Sequence, residues 1–137
     1  AAMHAKGMAS FAEFAARLPE DGGDRRLLGT SGTVTTLASV YLKLNSYDRR
    51  AVDGLYLPTA AMREISRELA GRTIDGRAEF PTIGHERADL VVAGCAILEA
   101  IFDIWPGERL GVADRGIREG ILRALMASDA KRRNRRN

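Results

Sequence analysis

Glycines and hydroxyl side chains alternate through Gly29-Thr30-Ser31-Gly32-Thr33, directly after the apolar pair Leu27-Leu28 and before a helix-forming run. An anion-binding junction needs that order. The first amides of a helix have no intrahelical acceptor and lie at the positive end of its dipole, so they point at whatever anion enters. Gly29 and Gly32 are expected to adopt backbone angles closed to other residues. Thr30, Ser31 and Thr33 can add donors or cap the helix. The pattern reads equally as a capped turn and as a ligand loop.

A second stretch, Gly111-Val112-Ala113-Asp114-Arg115-Gly116-Ile117-Arg118-Glu119-Gly120, repeats the arrangement. Asp114 reads as a helix N-cap, or else as a hydrogen-bond partner of a ligand or a facing lobe. Gly116 and Gly120 share a helical face, where each is a poor helix former, which suggests close backbone approach by another element or a ligand. Arg118 and Glu119 are solvated charges unless an anion reaches them. Between the two junctions lies His85-Glu86-Arg87. A cation in a first helical turn opposes the dipole, so Arg87 is expected to grip phosphate or carboxylate, or else to pair with Glu86 or Asp89. His85 has no evident second ligand, and Cys95 sits in an apolar stripe as a core residue.

Several constellations are absent. The chain has no G-x-x-x-x-G-K-[ST] loop, no H-E-x-x-H, no C-x-x-C and no G-x-S-x-G elbow. No carboxylate pair stands in a turn as acid and base. The residues thus supply anion-binding parts with no catalytic group and no metal ligand set.

The elements that must position these parts follow from periodicity. At 137 residues, 45% of them hydrophobic and 28% charged, the chain has the size and balance of one ordinary domain. No apolar run approaches a membrane span, and no signal-like segment opens the sequence, which reads as cytoplasmic with no membrane partner. The single cysteine, Cys95, excludes an internal disulfide. The net charge of +3 resides in the tail: five of the 21 basic residues fall after position 130, leaving 16 against 18 acidic residues in the body. Residues 128–137 are therefore expected to form a disordered basic tail. Nucleic acid could be a partner only through it.

A helix is expected from Ser10 to Leu18, a strand from Arg26 to Thr30 and a helix from Thr33 to Leu42, broken at Asn45-Ser46-Tyr47-Asp48. An extended run covers Val52 to Leu57, and a helix follows Pro58-Thr59 as far as Gly71. Residues 73–84 read as a long loop. From Arg87 to Trp105 two apolar stripes run in parallel, Ala88, Val91, Cys95, Leu98, Phe102 and Trp105 on one and Leu90, Gly94, Ile97, Ile101 and Ile104 on the other, predicting a helix sandwiched between neighbours. A strand Arg109–Ala113 and a helix Asp114–Met126 follow, with Ile117, Ile121, Leu122 and Leu125 inward. Strands alternating with helices make an α/β architecture whose ligands gather at strand carboxyl ends. About three strands against five helices is thin for a whole domain.

Three runs in this order, Leu27 to Ala38, Glu86 to Leu98 and Leu110 to Leu122, resemble the exopolyphosphatase / guanosine pentaphosphate phosphohydrolase family across nearly all of residues 10–126. The resemblance implies a partial α/β lobe of the actin-like ATPase (ribonuclease H-like) fold, with few strands and several packed helices. Residues 1–127 would be the carboxyl-terminal portion of the second of two lobes that close over a phosphate-rich cleft. Such an enzyme hydrolyses terminal phosphoanhydride bonds of inorganic polyphosphate or guanosine pentaphosphate with Mg²⁺. Its first lobe, catalytic glutamate and D-x-G-G-G-S/T motif have no counterpart here, so an amino-terminal lobe is an implied partner and the segment alone is expected to be inactive. A homodimer is a further implied partner. The residues expected to bind substrate phosphate are Gly29, Thr30, Ser31, Gly32, Thr33, Arg87, Asp114, Gly116 and Arg118. A non-catalytic phosphate- or nucleotide-sensing module of the same superfamily is the rival reading. The enzymatic reading requires the turns near 30 and 115 to lie side by side and to share a single anion with the guanidinium at 87.

Overall fold

The computed structural model describes residues 2–17 and 26–134. Three strands form its sheet: β1 (Leu27–Gly29), β2 (Tyr56–Pro58) and β3 (Arg109–Val112), in the order β1-β3-β2. β1 runs parallel to β3 with Gly29 opposite Val112, and β2 runs antiparallel to β3 with Tyr56 opposite Gly111. Alternation sorts the side chains by face. Leu110 and Leu57 point into the core, 2% and 0% exposed, while their neighbours Leu28 and Tyr56 stay exposed and close over Gly111 on the other face.

Eight helices complete the described residues. They are α1 (Ala2–Ala16), α2 (Gly32–Tyr41), α3 (Arg49–Val52), α4 (Thr59–Gly71), α5 (Ile74–Ala78), α6 (Gly84–Ala88), α7 (Leu90–Ile104) and α8 (Ile117–Asn134). The core is built from Val34, Leu37 and Ala38 of α2, Met62 and Leu69 of α4, and Val91, Cys95, Leu98 and Phe102 of α7 against Leu57, Leu110 and Val112. Each fully buried Leu or Met contributes roughly 1.5–3 kcal/mol relative to exposure. α1 lies along α7. Gly7 makes that approach close, since a Cβ there would stand 3.0 Å from Ala100, and Phe11 and Phe14 meet the edge of Trp105 at 6.2 and 5.9 Å. His4 and Arg63 both bond to Asp103, tying α1 and α4 to α7.

The structure redraws several expected elements. α1 begins at Ala2 and ends at Ala16, ahead of Leu18, which lies outside the described residues. Val52 belongs to the short α3, capped by the Asp48 carboxylate, and the second strand starts only at Tyr56. Residues 73–84 hold a helical turn, α5, capped by the Thr73 hydroxyl, which local apolar spacing does not reveal. The long helix expected from Arg87 divides at Asp89 into α6 and α7, where the carbonyl of Ala88 accepts from Arg77. Arg77 also donates to the carbonyls of Leu69 and Arg72, so one guanidinium closes the end of α4 onto α6. On the first apolar stripe Ala88, Val91, Cys95, Leu98 and Phe102 are buried and Trp105 is half-buried; on the second, Leu90 and Ile97 are exposed while Gly94, Ile101 and Ile104 are half-buried.

α8 departs most from expectation. It starts at Ile117 and continues through Asn134, so residues 128–134 are helical where a disordered tail was expected. Ile117, Ile121, Leu122 and Leu125, expected inward, are 83%, 55%, 59% and 60% exposed. An apolar spacing identifies a face; it does not supply the element that covers it.

Candidate functional site

The β1–α2 junction is shaped by packing and capping. Neither Gly29 nor Gly32 has a positive φ, so the expected unusual backbone angles are absent. Gly29 is required for space: a Cβ there would lie 2.7 and 2.9 Å from the methyls of Val34. Nothing lies within 4 Å of a Cβ at Gly32. Ser31 caps α2 with extended angles, its hydroxyl accepting from Val34 N at 3.5 Å while its carbonyl accepts from Thr35 N. The first-turn amides of Gly32 and Thr33 keep no acceptor among the described residues, and that turn carries no acidic side chain. Thr30, Ser31 and Gly32 are exposed, and Thr33 is half-buried. The junction therefore presents partial positive charge to solvent.

α6 and α7 cross this helix. A Cβ at Gly94 would fall 2.1 Å from Thr33 Oγ1, so the first turn of α2 rests directly on the α7 backbone. One helical turn further along α2, Thr36 Oγ1 accepts from Arg87 at 3.5 Å. The expected pairing of Arg87 with Glu86 or Asp89 does not form; no carboxylate bonds to this exposed guanidinium among the described residues. His85 is likewise exposed.

The β3–α8 junction lies beside the first, for Ala113 N donates to Gly29 O at 2.9 Å. The required side-by-side placement of the two turns is thus present. Arg87 reaches α2 but makes no hydrogen bond to either turn among the described residues. In chemistry the second junction differs, because its polar groups are already engaged. Asp114 is not the N-cap of α8, which begins three residues later; its carboxylate accepts from Tyr47 Oη and pairs with Arg49 Nε at 3.2 Å. Arg49 also bonds the Asp114 carbonyl and Glu119. Asp53 accepts from Asp114 N at 3.0 Å and from Arg115 at 2.6 and 2.9 Å. Glu119 reaches back to Gly116 N at 2.9 Å, so a carboxylate of the protein itself occupies the start of α8.

Titration follows the contacts. The Gly116 amide, Glu119's own amide and Arg49 hold Glu119 down to about 2. Arg115, then the Asp114 amide, lower Asp53. Partial burial, then the bond to Asp114, pushes Tyr47 up to about 12. The close approach expected at Gly116 and Gly120 is absent. Gly120 faces open space, and Gly116 meets only the Glu119 carboxylate. Arg118 is exposed and free of partners among the described residues.

Nothing in the local pattern marks Tyr47, Arg49 or Asp53, which grip the second junction from 61 to 70 residues away. The short dipeptide Asp53-Gly54 is the one clue. Gly54 turns with φ +87 and donates to Val112 O, delivering Asp53 to the strand end. Among the described residues no group of three or more His, Cys, Asp or Glu could hold a metal ion.

A parallel strand pair whose carboxyl ends open side by side onto helix starts, backed by helices, defines part of an α/β lobe of the actin-like ATPase class, as the solved structures that match it show. The chain belongs to the Ppx/GppA phosphatase family, whose model matches residues 4–129. It is 30% identical over 77 residues to "Exopolyphosphatase 2" of Mycobacterium tuberculosis (strain CDC 1551 / Oshkosh), covering 56% of this chain and 24% of that protein. It is 28% identical over 98 residues to a guanosine-5'-triphosphate,3'-diphosphate pyrophosphatase of Pseudoalteromonas translucida, covering 72% of this chain and 18% of that one. The crystal structure of the type II variant of the Aquifex aeolicus Ppx/GppA phosphatase superposes with a TM-score of 0.76 at 25% identity, over 87% of this chain and 38% of that one. The chain therefore spans about a quarter or less of these curated relatives and about two-fifths of that structure. No helix among the described residues is long and apolar enough to cross a membrane.

Proposed function

We propose that this chain holds substrate phosphate in an enzyme that removes terminal phosphoryl groups from inorganic polyphosphate or guanosine pentaphosphate. The observation that carries the reading is the first turn of α2. Among the described residues no carboxylate bonds to its free Gly32 and Thr33 amides, and Arg87 of α6 donates to Thr36 of the same helix while pairing with no carboxylate. Gly29, Thr30, Ser31, Gly32 and Thr33 would form the cradle, with Arg87 and the exposed Arg118 drawing the polyanion in. Asp114 and Gly116, whose polar groups are engaged by Tyr47, Arg49 and Glu119, would shape the adjoining wall.

Hydrolysis would need a carboxylate to activate water, and the carboxylates beside the junction are committed to arginines. That group is assigned to an amino-terminal lobe. The outer edge of β1, unpaired among the described residues, supports such a partner over a self-contained sensing module. The Mg²⁺ implied by the resemblance does not fit the donors present, so a divalent cation would enter with the substrate or on the other lobe.

Titrating the 137-residue chain with tripolyphosphate tests the reading. Binding without phosphate release is expected, and Arg87→Ala should weaken it about tenfold, the worth of one charge-assisted contact. Unchanged affinity in Arg87→Ala removes the guanidinium from the site; release of phosphate by this chain alone shows that the catalytic group has been assigned to the wrong place.

A further inference from the structure

Besides the shared core, two contacts place α2 against the α6–α7 segment. Thr33 and Thr36 are three residues apart on α2, and Gly94 and Arg87, which meet them, are seven apart on the other segment. The three-residue spacing keeps Thr33 and Thr36 on one face of α2, while Arg87 and Gly94 come from the two helices that divide at Asp89. At one contact the approach is close enough that any side chain on residue 94 would strike three atoms of Thr33, at 2.1, 2.9 and 3.0 Å. Glycine in the middle of a helix is a poorer helix former than alanine, so its presence in α7 costs stability that a methyl would return.

We infer that Gly94 is a positioning residue of the phosphate site: its missing side chain lets the first turn of α2 sit on α7 and so sets the placement of the Gly32 and Thr33 amides relative to Arg87. The inference rests on the phosphate reading above. Gly94 touches no substrate; it acts through Thr33. A methyl at 94 must push the start of α2 away, because Thr33 is β-branched and its side chain has little freedom to turn aside. The first-turn amides then shift relative to Arg87, which is held at Thr36 one turn further along α2. Gly94 borders the buried stripe of Val91, Cys95, Leu98 and Phe102, being three residues from Val91 and four from Leu98.

The test is a tripolyphosphate titration of the 137-residue chain as wild type, Gly94→Ala, Thr33→Ser and the double variant, with thermal melting alongside. Gly94→Ala is expected to melt lower than wild type, because the methyl must displace Thr33, and to bind at least tenfold more weakly. Thr33→Ser, which removes the methyl and frees the hydroxyl to rotate, should restore most of that affinity in the double variant, a rescue that a general loss of structure would not show. Wild-type affinity in Gly94→Ala overturns the inference, as does a folded double variant with no recovery. If Gly94→Ala fails to fold, the double variant decides: affinity within threefold of Thr33→Ser supports the inference, and loss of binding overturns it. A wild-type chain that binds no tripolyphosphate overturns the phosphate reading itself and this inference with it.

Discussion

The two strand-to-helix junctions stand side by side and look alike in sequence, yet one is open and the other is closed. At β1–α2 the helix starts with free amides, an exposed Thr30-Ser31-Gly32 turn and no acidic residue. At β3–α8 the same geometric opportunity is taken by Glu119, whose carboxylate bonds the Gly116 amide and is held in turn by Arg49. An anion from outside must compete with an internal one at the second junction and with water alone at the first. Glycine-spaced turns before helices are therefore not equivalent anion sites. What separates them is whether a carboxylate three residues inside the helix can reach back.

Alanine substitutions at a glycine of each junction should have opposite signs and give the largest contrast. Gly29→Ala forces a methyl against Val34, whose branched side chain cannot yield easily, and is expected to destabilise the chain by about 2–3 kcal/mol. Gly120→Ala meets nothing within 4 Å in the interior of exposed α8 and is expected to stabilise by about 0.5–1 kcal/mol. Urea unfolding of both variants checks the pair. Equal effects of one sign would mean that the two turns pack alike, contrary to the geometry.

How much of this contrast could be read from the residues themselves depends on whether its cause is local. The strand, cap and start of α2 are local, as are the limits of α4 between Pro58-Thr59 and Gly71, and both agree with the structure. The buried stripe of Ala88, Val91, Cys95, Leu98 and Phe102 is legible too, because helical spacing selects one face. The clasp of Tyr47, Arg49 and Asp53 is not. Those residues lie in a polar loop and a four-residue helix, and only the fold brings them to Asp114. Gly94 reads as an ordinary member of an apolar stripe until α2 is laid across it. The exposure of α8 escapes for the complementary reason: its apolar residues predict a contact, and no described element provides one.

Breaking the clasp is the next smaller effect. Arg49→Ala leaves Asp114 and Glu119 facing one another without the cation between them. The groups are partly exposed, with side chains 34–45% accessible, and exposed ion pairs each contribute only about 0.2–1 kcal/mol. A small loss of stability, read as a slightly lower Tm, is expected. Amide exchange should quicken at Gly116 and leave Val34 unaffected. Matching increases at both junctions would show that the clasp supports the β1–α2 turn as well.

Acid should sharpen the comparison most gently. Glu119 is held at about 2 in the fold against an ordinary value near 4.5, and Asp53 is also lowered, so both are better anions folded than unfolded. A depressed carboxylate contributes stability that is fully present above its unfolded value and is lost as pH falls through the folded one. Between about pH 4.5 and 2 the unfolded chain takes up these protons first, and the hold on Gly116 weakens progressively. The first turn of α2 contains no carboxylate, so its protection has no local reason to change across that interval. In an amide-exchange series from pH 5 to 2, corrected for intrinsic rates, protection of Gly116 should fall while that of Val34 and Thr35 holds. Glu119→Gln should remove the pH dependence at Gly116, which makes the internal carboxylate, and not general acid loosening, the cause of the difference between the junctions.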